Sequence, residues 1–578
     1  MKLFAAMLSL SLFLLPGVPA WGTLLDDVEA KVLANQEEQI QAVKDIVKIE
    51  SYNETTPGYS GPYPNPDAGV TEALDFALEK AEEMGFRVVK EPLYGYAEWG
   101  PEDAEEMVMV LGHLDTVAPG NPVLWDLGGP FEAKVVERDG EDHIIGRGTF
   151  DDKGPILSAL YSLKALKDAN VLLSRRVRIF FGTTEDYGGW RCVSAYAQKA
   201  RAGEEEWPVL GFSPDSGSFQ PTYIEKTSVN VRAYNKIDND AADVKLTFLN
   251  GGTATNAVSD RCQVALQGPD HQLKAIKQAM QEAAAAEGWD LAALPIKFEL
   301  NVDAGVLSVD VTGRAAHSGQ AWAGVGANNR MMFLLSKAPV NADWQVVAEK
   351  LTRLAPPDEN PDNMGAALGI QEGGIELDDI VTVNMGFARL ESADVEPTIY
   401  NHLNIRYPDK GAELITGKSH QSGAEIKAKV EDKFKAARLE ANVTGGGYPY
   451  TVPLDSEIIV KLQKAYKDAT GKEVKPCITH GGTYASAWKN DIGFSMVAWG
   501  IDGGIGMHEA NESLSIPKMI EGTKVMALAM AYLAPADEAP QPQPDDDARP
   551  HKSSSGGCDS LGLGTLALLG AVLVLRRR

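Results

Sequence analysis

The sequence predicts an α/β protein whose main sheet is parallel and is interrupted by a separate α+β insertion. The apolar runs Met107–Leu111, Val177–Phe181 and Val209–Phe212 alternate with helix-periodic stretches at Pro155–Ala169 and Cys192–Arg201. Strand, helix, strand, helix, strand is the order of a parallel sheet with right-handed crossovers. Each apolar run also ends in acidic or histidine residues, at His113-Leu-Asp115, Thr184-Glu185-Asp186 and Ser213-Pro-Asp215. The C-terminal edge of such a sheet is where its ligands bind. From about Lys226 to Gly447 the pattern becomes alternating, as in Leu307-Ser-Val309-Asp-Val311 and His402-Leu403-Asn-Ile405-Arg406, with a Lys- and Ala-rich helix at His271–Glu287. Alternation predicts an antiparallel or mixed sheet with one solvated face, hence a second domain inserted into the first.

Taken in order, Met1-Lys2, the apolar stretch Leu3–Leu15 and Pro16-Gly-Val-Pro-Ala20 have the layout of a secretory signal peptide. Leu24–Val47 has helical periodicity among charges and predicts a surface helix. Pro57–Pro66 is a Pro-, Gly- and Tyr-rich loop, and Thr71–Met84 is a second amphipathic helix closed by Gly85 before the strand Phe86–Val89. The chain re-enters the first domain near Tyr448–Pro453, continues in a helix at Glu457–Ala469 and reaches His480-Gly481-Gly482-Thr483-Tyr484-Ala485-Ser486. Residues 535–557 are Pro-, Asp- and Ser-rich with few apolar side chains, the composition of a disordered linker. The predicted organisation is therefore a signal peptide at 1–20, a first domain at 21–225 and 448–534, an insertion at 226–447, a linker at 535–557 and an apolar tail at 558–578.

In the opening strand, His113 suits a metal, and Asp115 is spaced to accept a hydrogen bond from its other ring nitrogen. The alternative is a polar turn after a core strand. One imidazole and four carboxylates on a single sheet edge favour the metal, because independent surface turns have no reason to share that edge. Asp151 and Asp152, in Gly146-Arg-Gly-Thr-Phe-Asp151-Asp-Lys-Gly, lie just before a helix start.

These segments, together with the late Met507-His508-Glu509, resemble the motif series of the M20 family of di-zinc peptidases, and within it the PepV-like dipeptidase branch. The resemblance spans nearly the whole mature chain. It implies a three-layer zinc-peptidase catalytic domain with an inserted α+β lid domain and two Zn2+ per chain. One ion would be held by His113 and Asp215 and the other by Asp186 and His508, with Asp151 bridging both and a cis peptide after it. Glu185 would be the general base acting on a metal-bridged hydroxide, beside Asp115. In the lid, Gly313-Arg-Ala-Ala-His317, Thr255-Asn256-Ala-Val-Ser-Asp260 and Asn404-Ile-Arg406-Tyr-Pro408 look like family motifs. They imply that His317 stabilises the oxyanion while Asn256 and Arg406 hold the substrate's backbone and carboxylate. The enlarged lid matches the monomeric branch, so His317 should reach its own active site. Two positions differ from that branch: Ser486 stands where it has Arg, and Asp186 where it has Glu.

The 578 residues hold 54 Lys and Arg against 81 Asp and Glu, a formal net charge of -27. Such acidity excludes nucleic acid as a partner, since phosphate binding needs a basic face. Cys192, Cys262, Cys477 and Cys558 lack the paired spacing of a zinc finger or disulfide framework, and burial is the expectation for the first three. Gly556-Gly557-Cys558, the apolar run Leu561–Leu575 and Arg576-Arg577-Arg578 resemble the MYXO-CTERM sorting tail of secreted bacterial proteins; the alternative is an ordinary tail anchor. The expected protein is thus a secreted or cell-surface monomer, attached through its C-terminal tail, that hydrolyses short peptides with a free N-terminus. Asp152 or Glu509 would take the substrate's amine. The alternatives are an N-acyl amino acid or peptide deacylase on the same site and a non-catalytic surface protein.

Overall fold

The computed structural model describes residues 21–52, 68–120, 122–186, 189–357, 364–370, 380–392, 396–408, 413, 419–447, 450–479 and 481–535. The signal peptide, the loop at 57–66, His480, the linker beyond Pro535 and the apolar tail lie outside the described residues. Among the described residues, no helix is long and apolar enough to cross a membrane.

The first domain is built on a six-stranded sheet. Its strands are β1 (Arg87–Lys90), β2 (Tyr94–Trp99), β3 (Met107–His113), β6 (Arg176–Gly182), β7 (Leu210–Ser213) and β19 (Met496–Ala498), in the spatial order β1-β2-β6-β3-β7-β19. The part from β6 to β19 is parallel, and β1 and β2 add an antiparallel edge. All seven residues of β3 and of β6 are buried, because helices cover both faces. Val108, Val110, Val177, Ile179 and Phe181 join the core under α1 (Trp21–Val47), α3 (Lys153–Asp168) and α10 (Ile516–Leu533). Their alternate neighbours Met107, Met109, Leu111 and Phe180 pack on the opposite side against α4 (Arg191–Ala202), Tyr484 and Trp488. The period-two pleat thus feeds two cores from one strand, which makes three layers. A small four-stranded sheet flanks this body, including the hairpin β4 (Lys134–Arg138) and β5 (Glu141–Ile145). Neither β2 nor this hairpin is expected from the sequence patterns above.

The inserted lid holds an eight-stranded antiparallel sheet. In chain order its strands are β9 (Thr227–Lys236), β10 (Lys245–Gly251), β11 (Arg261–Gln267), β12 (Ile296–Asn301), β13 (Val306–Thr312), β14 (Thr382–Glu391), β15 (Thr398–Tyr407) and β16 (Ala441–Gly445). The helices α5 (Asp270–Ala286), α6 (Ala327–Ser336), α7 (Asp343–Leu354) and α8 (Gly423–Ala436) close its core. Strand β13 alternates in burial, as expected. Strand β15 does not: from Ile399 to Ile405 it is buried throughout. Its polar residues face the turn at Ser318–Ala323 and neighbouring strands, not water, so the alternating sequence there marks a site-facing side. Chain enters the lid after β8 (Thr222–Glu225) and leaves it before β17 (Tyr450–Thr451), and these two strands pair, Tyr450 opposite Glu225.

Cys192 and Cys262 are buried, whereas Cys477 is only half-buried at the start of its short strand.

Candidate active site

The three central strands deliver their polar residues to one edge. His113 closes β3, and its ring is 1% exposed. Its Nδ1 lies 2.9 Å from the Asp115 carbonyl oxygen, an acceptor only, so Nδ1 carries a proton and Nε2 is the nitrogen turned toward the other carboxylates. The expected clamp through the Asp115 carboxylate is therefore corrected. That carboxylate stands 3.6 Å from Nδ1 and instead accepts the backbone N–H groups of Glu185 and Asp186, each at 3.0 Å. The physical reason is that β3 ends at His113, so Asp115 has left the pleat and turns toward the loop after β6.

The His113 Nε2 faces Asp151 Oδ1 at 3.1 Å and Asp215 Oδ2 at 3.9 Å. On the other side, His508 Nε2 lies 2.9 Å from Asp151 Oδ2 and 3.1 Å from Asp186 Oδ1. The two oxygens of Asp151 thus look toward two different histidines. His508 adopts a left-handed backbone, φ 64°, which turns its imidazole back onto the sheet edge. Asp186 reaches it despite its short side chain, and its second oxygen accepts the Val117 N–H at 2.8 Å. The peptide between Asp151 and Asp152 is cis.

Glu512, fully buried, organises the loop that carries Asp151. Its Oε1 accepts the N–H groups of Gly148, Phe150 and Asp151 at 3.0–3.1 Å, and its Oε2 pairs with Arg147 at 2.5 Å. Sequence reasoning missed this role, because the partners lie more than 360 residues apart. Asp152 is also fully buried, with Oδ2 accepting the His113 N–H at 3.2 Å. It cannot meet a substrate amine, whereas Glu509 is exposed. A β-carbon at Gly112 would collide with that same Asp152 oxygen, so only glycine fits there.

The donor set suits divalent cations. Ligand atoms of His113, Glu185 and Asp215, and those of His113, Asp151 and Asp186, all lie within 4.8 Å of one another in each group. Burial pushes Asp215 up to about 7, with Asp151 adding to the shift. Burial likewise holds Glu185 well above the usual carboxylate range, opposed by His113 and reinforced by Asp215, Asp186 and Asp151. Burial alone would pull both histidines down, but the hydrogen-bonded Asp151 and the surrounding carboxylates outweigh it and raise them well above their ordinary value. Protons are thus drawn in where positive charge is wanted, which is what cations held between these groups would supply.

Glu185 Oε1 accepts the indole N–H of Trp190 at 3.2 Å. Trp190 has φ 44°, and its ring packs edge-on against Tyr484. From the lid, the ring centroid of His317 stands 5.9 Å from that of His508 in the same chain. His317 Nδ1 accepts the Gly319 N–H, which leaves the proton on Nε2. A β-carbon at Gly481 would stand 3.4 Å from the His317 ring. Arg406 donates through Nε to Asn404 Oδ1 at 2.9 Å; burial lowers its pKa, and the nearby Glu185 and Glu225 oppose this. The carbonyl of Asn256 accepts the Ser318 N–H at 2.8 Å. Ser486 gives its hydroxyl proton to the Thr483 carbonyl.

Residues 109–532, more than half of the chain, match peptidase family M20/M25/M40. The Bacillus subtilis (strain 168) protein named "Putative dipeptidase YtjP" is 27% identical over 512 residues, covering 88% of this chain and 99% of its own. Two solved structures share the fold at 15% identity, each covering 89% of this chain and 99% of its own. They are human carnosine dipeptidase 1, with a TM-score of 0.50, and the di-peptidase Dug1p of Saccharomyces cerevisiae, with a TM-score of 0.51.

Proposed function

Starting from a chain that belongs to peptidase family M20/M25/M40 and is a metal-dependent hydrolase, we propose that it is a di-zinc dipeptidase acting on substrates with a free N-terminus. The observation that supports this most is Asp151, whose two oxygens face His113 and His508 while Asp215 and Asp186 stand beside the outer sides of that pair. His113 and Asp215 would hold one ion, His508 and Asp186 the other, with Asp151 between them. Bound there, two such ions would acidify a water and polarise the scissile carbonyl.

The chain's own residues do the rest. Glu185 takes the proton of the attacking water and returns it to the leaving amine, and its raised pKa suits a group that must both accept and release a proton. The Trp190 indole holds one of its oxygens and so fixes the direction of the other. His317 offers its Nε2 proton to the oxygen on which charge develops. Arg406 takes the C-terminal carboxylate and Asn256 the substrate backbone. With Arg406 on the carboxylate and the ions at the scissile bond, the distance between them would favour a short substrate. The relatives named dipeptidases point to the same size class. The same reading makes the protein a monomer, secreted or held at the cell surface through its C-terminal tail; cell fractionation tests the location.

Rates for a dipeptide, its N-acetylated form and its C-terminal amide test the substrate. The free dipeptide should be cleaved best and both blocked forms poorly. Fastest cleavage of the N-acetylated form would make the protein a deacylase.

A further inference from the structure

Three lid residues are proposed to touch the substrate, and they come from three separate segments, near 256, 317 and 406. We propose that Ser318 and Asn404 are positioning residues that join these segments into one hydrogen-bonded unit, so that reading the substrate's carboxylate and readying the oxyanion donor are coupled. This rests on the roles proposed for Asn256, His317 and Arg406.

Asn404 and Arg406 lie two apart on β15, hence on one face of the strand. The Asn404 oxygen accepts two donors, Arg406 Nε at 2.9 Å and the Ser318 hydroxyl at 2.8 Å. Its amide nitrogen donates to Asn230 Oδ1 at 2.8 Å, directly across the ladder on β9. The amide therefore cannot flip without breaking all three bonds. Ser318 follows His317 in the chain, and its own N–H donates to the Asn256 carbonyl at 2.8 Å. Asn384 fixes the same segment from β14, donating to the carbonyls of Thr255 and Ala257. Ser318 and Asn404 are buried, where such bonds are fixed in geometry and costly to lose. A guanidinium drawn toward a carboxylate pulls on Asn404, then on Ser318, and so on the residue preceding it.

The experiment measures kcat and KM of the metal-loaded enzyme for a dipeptide and its C-terminal amide, in the wild type, Ser318→Ala, Asn404→Ala, Asn404→Asp and the Ser318→Ala/Asn404→Ala double variant. Ser318 touches neither the carboxylate nor its clamp, so independent action leaves the acid-over-amide preference of Ser318→Ala unchanged. Coupling predicts that this preference falls about tenfold, the scale of one buried hydrogen bond, together with a lower kcat. The double variant should be no worse than the worse single variant. Asn404→Asp keeps the shared oxygen but loses the donor to Asn230 and sets a charge against Arg406, so its acid-over-amide preference should fall as that of Asn404→Ala does. An unchanged kcat and preference in Ser318→Ala, or additive losses in the double variant, would overturn the coupling. If Asn404→Ala does not fold, Ser318→Ala alone decides. A wild type that does not prefer the acid would instead remove Arg406 from its proposed role, and kcat of Ser318→Ala and of the double variant would then judge the coupling.

Discussion

Across the cleft, the two halves of the site treat polar groups in opposite ways. On the lid side, Asn404 bonds to Ser318, Arg406 and Asn230, and Asn384 holds the two carbonyls that flank Asn256. On the catalytic side, His113, His508 and the carboxylates of Asp151, Asp186 and Asp215 face one another across distances of 2.9–3.9 Å, crowded charge against crowded charge. The lid network is made of hydrogen bonds between neutral or singly charged groups, whereas the catalytic groups form a donor set that suits divalent cations. Preorganisation by hydrogen bonds and preorganisation by ions are therefore separable here, and each can be attacked without the other.

Chelation should give the largest effect. Activity should disappear and return with added zinc, and elemental analysis of the active protein should find two divalent ions per chain. Amide hydrogen exchange should quicken at 148–152 and 184–186 on metal removal and stay slow in β15. Equal loosening of β15 would break the contrast. Next comes Glu185→Gln, which should keep both ions yet lower kcat by about 10²- to 10⁴-fold, the usual range for a lost general base. A near-normal kcat would remove Glu185 from that role.

Stability should divide along the same line. Glu512→Ala leaves Arg147 buried without its partner, with an expected loss of about 3–5 kcal/mol, while Asn230→Ala in the lid should cost about 1 kcal/mol. Denaturant unfolding of the two variants checks the order. A further stability effect concerns pH. Burial, aided by Arg232, pushes His402 down to about 4, so the folded lid keeps it neutral while the unfolded chain protonates it near its ordinary value. The unfolded state then binds more protons between these values, and stability should fall as pH drops from about 6.5 toward 4, by on the order of 3 kcal/mol. His402→Gln should flatten that part of the profile. An unchanged slope would show that His402 is not the group responsible.

The catalytic half was largely legible in the sequence because its chemistry sits at strand ends: apolar runs announce the strands, and His113, Glu185, Asp186 and Asp215 follow them directly. Glu512 and Trp190 were illegible, one because it acts across most of the chain and the other because a tryptophan beside a helix reads as core. The hairpin at 134–145 is rich in charge and gives no apolar run to detect. In the lid, alternation in β15 located a strand and misassigned its second face, since period two says that faces differ without saying what covers them. Ser318 and Asn404 carry ordinary polar side chains whose meaning lies only in which atoms they meet.

The pairing of Tyr450 with Glu225 brings the chain's departure point from the first domain beside its point of return, and β16 likewise lies next to the start of β9, Gly445 opposite Val229. An excursion whose two ends are neighbours can be lengthened, shortened or exchanged while the strands beneath it keep their register. The lid is in this sense a cassette: recombination at those two adjacent crossings could graft a different recognition surface over an unchanged ion-binding floor.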